Sequence, residues 1–119
     1  MKKTEDNLIA IKSKKFAVEI LRLNKILIAQ KEYQISDQII RSGTSIGANV
    51  KEALRAQSKA DFISKISISL KEASETEYWL ELLFEVDIIS KEIFDRLISD
   101  CRELIKILTK IIKTAKENS

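Results

Sequence analysis

The sequence predicts an all-α chain of four long helices, and three observations carry that prediction. Proline is absent, and glycine occurs only twice, at Gly43 and Gly47. A β-sandwich or α/β fold of 119 residues needs many tight turns, which call for glycine, proline, Asn-Gly or Asp-Gly. Apolar residues make up 45% of the chain and recur every three or four positions instead of alternating. The 33% of charged residues is enough to solubilise one packed domain spanning residues 1–119.

The first helix is expected from about Glu5 to Gln30. Ile9, Phe16, Ile20, Leu23 and Leu27 lie seven, four, three and four apart, which puts them on one face, and Leu8, Ile11, Val18 and Leu21 widen that stripe. The polar run Gln30 to Gln34 reads as a loop. A second helix covers roughly Ile35 to Ala56, with Ile35, Ile39, Ile46, Val50 and Ala53 inward. Ser58 followed by Asp61 has the pattern of an N-cap and a first-turn acid. From there Phe62, Ile66, Ser69, Ala73, Thr76, Leu80 and Leu83 follow at four-three spacing to about Phe84. Val86 to Ile89 is a short connection, and Ser90 caps a fourth helix. Its seam is Leu97, Cys101, Leu104, Leu108, Ile111 and Ala115. Helices of roughly 22 to 28 residues are about 33 to 42 Å long. Loops of a few residues between such rods imply an antiparallel up-down-up-down four-helix bundle.

Apolar side chains also flank these seams. Ile98, Ile105, Ile107 and Ile112 do so on the fourth helix, and Ile63, Ile68, Leu70, Trp79 and Leu82 on the third. A small bundle cannot bury all of them, so a symmetric oligomer is expected.

The composition removes much chemistry. With no histidine there is no Ser-His-Asp triad, no histidine-bearing zinc site and no Glu-x-x-His di-iron motif. Cys101, the one cysteine, cannot form an intramolecular disulfide, and on the seam it reads as a small buried hydrophobe. Glu72 and Glu75, one turn apart, are possible metal ligands together with Glu52, but Glu-x-x-Glu on an exposed helix is usually a solvated face. The expectation is a protein with no enzymatic activity, cofactor or metal. Lys2 and Lys3 are followed by Thr4, Glu5, Asp6 and Asn7 where a signal peptide needs apolar residues. The longest apolar run, Leu8 to Ile11, is far short of the roughly 20 residues that span a bilayer. A cytoplasmic protein without membrane contact is expected.

Net charge is +3, unevenly spread. Residues 1–34 carry eight basic and four acidic side chains, whereas residues 57–87 carry three and seven. Lys12, Lys14 and Lys15 with Lys2 and Lys3, and Lys106, Lys110, Lys113 and Lys116, are the candidates for neutralising phosphates of RNA or DNA. Lysines near helix C-termini also complement the helix dipole. An oligomer would multiply a modest basic patch by its copy number.

Residues 41–55 are a poor helix by propensity, with two glycines, two serines and a threonine in six consecutive positions. Small residues there permit close approach of a neighbouring helix. Ser42, Ser45, Asn49 and Glu52 recur at three, four and three, a polar stripe expected to form a hydrogen-bonded network that sets helix register.

The run RSGTSIGANVKEA, followed by DFISKxxISLKEASETEYWLELL, resembles the 23S rRNA intervening-sequence proteins. The matching positions are Arg41, Ser42, Ser45, Ile46, Asn49 and Glu52, then Phe62, Lys71, Glu72, Glu75, Tyr78, Trp79 and Leu80. The resemblance implies a left-handed antiparallel bundle assembled into a homopentameric ring, with no known enzymatic activity. It also implies a structural role for Arg41, Glu72, Glu75 and Trp79 beside the polar stripe. The family is similar to the accessory protein of diversity-generating retroelements, a basic pentamer that binds nucleic acid and a reverse transcriptase. Two functions are therefore expected to compete: an RNA-associated, nucleic-acid-binding adaptor, and an oligomeric protein-interaction scaffold that binds no nucleic acid.

Overall fold

The structure is a computed structural model that describes residues 4–118. Four helices, α1 (Thr4–Ala29), α2 (Tyr33–Ala53), α3 (Lys59–Glu85) and α4 (Lys91–Glu117), make a four-helix bundle 47 × 21 × 19 Å in extent. No strand occurs among the described residues. α1 packs on α2 and α4, and α3 packs on the same two, so α1 and α3 stand at opposite corners. Contacting residues pair in opposing order: Ser13 with Gly47 and Ile20 with Gly43, then Ser69 with Ile46 and Thr76 with Ser42. Residue numbers thus rise along one helix as they fall along its neighbour.

Local chemistry explains the ends of each rod. Ser58 and Ser90 take extended backbone, and their hydroxyls accept from the amides of Asp61 at 3.0 Å and Ile93 at 3.1 Å. Two of the three turns, α1–α2 and α3–α4, also use a left-handed residue. Lys31 has φ 63° and Asp87 φ 62°, which reverse the chain where another protein would place glycine. Because Lys31 turns the chain so sharply, α2 begins at Tyr33, two residues before the expected Ile35. It ends at Ala53, not Ala56, because the amides of Arg55 and Ala56 bond carbonyls only three residues back. Phe84 stacks on Phe94 across the last turn, ring centroids 4.4 Å apart.

Most seam residues form the core, while Ile35, Phe62 and Ala115 are only half-buried. Ile9, Phe16, Ile20, Leu23 and Leu27 of α1 are buried against Ile39, Ile46 and Val50 of α2, Ile66, Leu80 and Leu83 of α3, and Leu97, Leu104 and Leu108 of α4. The flanks behave differently from expectation. Leu70, Trp79, Ile105, Ile107 and Ile112 are half-buried against this core, Ile63 is half-buried, and Ile98 is buried. Leu8, Ile11, Val18 and Leu21 do not widen the core stripe of α1. They are exposed, Ile11 by 66%, because a helix wedged between two neighbours presents only a narrow arc to the core.

Glycine in α2 serves proximity, since neither glycine has positive φ. A Cβ at Gly43 would lie 2.8 Å from Ile20 Cγ1, and one at Gly47 would lie 3.3 Å from the Ser13 carbonyl oxygen. The two missing methyl groups let α1 and α2 meet almost backbone to side chain. By contrast, α1 and α4 meet along the loosest seam, bridged at the surface by Lys12 to Glu103 (3.2 Å) and Arg96 to Glu19 (3.1 Å).

Candidate nucleic-acid interface

The polar stripe of α2 divides into two parts. Ser42 is buried and faces Thr76 of α3, with the two hydroxyl oxygens 2.8 Å apart. Thr76 Oγ1 is also 2.8 Å from the Glu72 carbonyl oxygen. A hydroxyl has one proton and a carbonyl has none, so Thr76 donates to the carbonyl and accepts from Ser42. Ser69 donates to the Ile46 carbonyl at 2.8 Å, and the Cys101 thiol to the Ala73 carbonyl at 3.3 Å. Ser36 and Asn24 bond across α2 and α1. Among the described residues every buried side-chain polar atom has a partner. These bonds satisfy groups that would otherwise be costly to bury, and they tie neighbouring helices at defined heights.

The rest of the stripe turns outward. Ser45 donates to the Arg41 carbonyl at 2.6 Å and Asn49 to the Ser45 carbonyl at 2.9 Å, both within α2. Glu52 is exposed and lies 3.8 Å from Lys65 of α3. Glu75 accepts from the Trp79 indole at 3.3 Å, one turn along α3. Exposed Arg41 and half-buried Trp79 line one groove between α2 and α3, with Gln38, Leu82 and Val86. Glu72 is half-buried on the same side. Among the described residues no three carboxylate or thiol groups converge to hold a metal ion, so Glu52, Glu72 and Glu75 make no chelate. Cys101 is buried on its seam, and burial, with Glu77 adding to it, pushes its thiol pKa up to about 12.

The basic residues fall on three surfaces. Lys12 is tied to Glu103 on the α1–α4 seam, and exposed Lys15 lines the same seam beside Asp100. Lys106, Lys110 and Lys113 are exposed on the C-terminal half of α4, four and three residues apart and so on one face. Arg102, one turn earlier, is held by Glu77 at 2.8 Å and Glu81 at 3.2 Å, which also keep its guanidinium more basic than usual. Lys2 and Lys3 lie outside the described residues. Lys14 turns the other way, into a groove of about 550 Å³ between α1 and α2.

That groove gathers cations the sequence reading did not group together. Lys51 in the last turn of α2 and Arg55, four residues on and just past its end, line it opposite Lys14, and no carboxylate is among its lining residues. Its floor is small: Ala10 and Ala17 of α1 face Thr44, Gly47 and Ala48 of α2. Among the described residues no ion pair engages Lys14, Lys51 or Arg55. The i, i+4 spacing of Lys51 and Arg55 was a signal in the sequence. Their neighbour on α1 was not, because it depends on how the two helices are rotated.

With this geometry in place, comparison with known proteins is decisive for family. The sequence profile described as 23S rRNA-intervening sequence protein matches residues 5–110. The chain belongs to this family. A solved relative supports the assignment: a protein of unknown function from the S23 ribosomal protein family of Bacteroides thetaiotaomicron, 54% identical. It superimposes with a TM-score of 0.89, over 92% of this chain and 98% of that one. No curated protein matches the chain. Neither the family description nor the relative's name carries an enzymatic activity. No helix among the described residues is long and apolar enough to cross a membrane.

Proposed function

We propose that this 23S rRNA-intervening sequence family protein is a non-enzymatic, self-assembling adaptor that binds the phosphate backbone of RNA or DNA. The observation that carries this reading is the groove between α1 and α2, where Lys14, Lys51 and Arg55 converge without a carboxylate. Three cations beside small residues give a nucleic-acid strand close access to positive charge, and neutralising phosphates releases counterions. The basic face of Lys106, Lys110 and Lys113 adds a second, more open surface. Assembly strengthens both, because each copy added brings a further groove at little cost in entropy. The ring of five copies implied by the family resemblance is part of this proposal, as is a cytoplasmic site of action.

Fluorescence anisotropy with structured ribosomal RNA, duplex DNA and single-stranded RNA across a salt series tests it. Binding is expected in the micromolar range at low salt, falling linearly on a log–log plot. Lys51→Ala and Arg55→Ala should each reduce the slope by roughly 0.7 for single strands. A second reading is favoured by a specific observation: Lys12 is already neutralised by Glu103, and exposed aliphatics rather than cations dominate the outer face of α1. A protein-interaction scaffold would show no RNA or DNA binding even at low salt.

A further inference from the structure

We infer that the outer face of α1 docks on the outer face of α3 in a second copy of the chain, a head-to-tail contact. The inference rests on the self-assembly proposed above and names the two surfaces that make it. Ile11, Val18, Leu21 and Ile28 are exposed by 66, 39, 47 and 44%. Single exposed aliphatics are ordinary, but these four lie seven, three and seven residues apart and form one straight stripe away from the core. Lys25 completes the stripe, also exposed. On α3 a second stripe is exposed at Ile68, Tyr78 and Glu85 and half-buried at Glu75 and Leu82. Ile68, Glu75, Tyr78, Leu82 and Glu85 lie seven, three, four and three apart, with Ile68 exposed by 37% and Tyr78 by 54%. Both stripes run for 18 residues, 11–28 and 68–85, about 27 Å at 1.5 Å per residue.

Two features select this pairing over the others. First, α1 and α3 occupy opposite corners of the bundle with their outer faces turned apart, so one copy cannot cover its own stripe with the other. Second, charge rules against like faces. α1 on α1 would bring Lys25 against itself, and α3 on α3 would do the same to Glu75 and Glu85. α1 on α3 places aliphatic on aliphatic and lysine near glutamate, which favours the heterologous contact. Such a contact leaves one stripe free at each end, so copies add until the rotation closes a ring.

Complementary blocking tests this with the intact chain. Val18→Glu/Leu21→Glu spoils the α1 stripe, and Ile68→Lys/Tyr78→Lys spoils the α3 stripe, all at solvent-facing positions. Light scattering at tens of micromolar protein should find wild type assembled and each variant monomeric. An equimolar mixture of the two variants should give a heterodimer and nothing larger, with circular dichroism reporting intact helices in both. Charge exchange is the second route, should either variant lose its helices. Lys25→Glu alone or Glu75→Lys/Glu85→Lys alone should weaken assembly, and combining all three in one chain should restore it. A monomeric wild type would overturn the self-assembly reading along with this one. Assembled wild type whose blocked variants still assemble, or fail to pair on mixing, would overturn only the choice of faces. Failure of charge exchange to restore assembly would do the same.

Discussion

Ser42 and Thr76 meet hydroxyl to hydroxyl, 2.8 Å apart, in the buried seam between α2 and α3. Neither residue can lose its partner cheaply, since both are at most 1% exposed. Thr76→Val keeps the shape of the side chain but leaves Ser42 with only a 3.5 Å contact to the Ile39 carbonyl. The expected loss is about 1 to 3 kcal/mol in urea unfolding. Ser42→Ala/Thr76→Val should recover part of it, and the double-mutant cycle should give a coupling of about 1 kcal/mol.

The α1–α2 contact predicts an order among glycine substitutions. Gly43→Ala meets the branched, fully buried Ile20 side chain at 2.8 and 2.9 Å, and the core around it leaves Ile20 no room to withdraw. Overpacking of about 1 to 3 kcal/mol should outweigh the roughly 1 kcal/mol gained in helix propensity. Gly47→Ala, at 3.3 Å from Ser13, should come out near neutral. A Gly47→Ala variant less stable than Gly43→Ala in denaturant titration would contradict this packing.

Lys31 sits at φ 63° in the first turn, a conformation that costs a side-chain-bearing residue about 1 kcal/mol or more. Lys31→Gly should therefore raise stability by about 0.5 kcal/mol, after the greater freedom glycine gives the unfolded chain. Asp87→Gly, at φ 62°, should gain less because aspartate tolerates the left-handed region better. Paired thermal melts of the two variants measure the difference.

Burial of Cys101 predicts an alkaline limb to the stability profile. Its thiol pKa rises from 9.0 to about 12 on folding, so the folded state holds the proton more tightly than the unfolded state. The contribution is complete below pH 9 and is lost as pH climbs from there toward 12, where only the folded chain keeps this proton. The slope should approach 1.4 kcal/mol per pH unit, about the linkage limit for one proton. Cys101→Ala should unfold more easily at neutral pH yet lose less stability between pH 9 and 10.5, about the accessible part of that window. In the native protein the thiol should react with a disulfide reagent only as fast as the chain opens.

What the sequence by itself determined is everything that repeats along one helix. Spacing placed Ile9, Phe16, Ile20, Ile39, Ile66, Leu80, Leu104 and Leu108 in the core, because a 3.6-residue period is a local property. Ser58 and Ser90 were readable as caps for the same reason. The tertiary structure decided which groups meet across helices. It joined Ser42 to Thr76 while leaving Ser45 and Asn49 to their own backbone, and it spent Lys12 on Glu103. It also brought Lys14 to Lys51 and Arg55, and exposed Leu8, Ile11, Val18 and Leu21, which the sequence had assigned to the core stripe. Each of these outcomes depends on the rotation and axial offset of one helix against another. Two absent methyl groups at Gly43 and Gly47 help set those for α1 and α2, and no periodicity within a single helix encodes them.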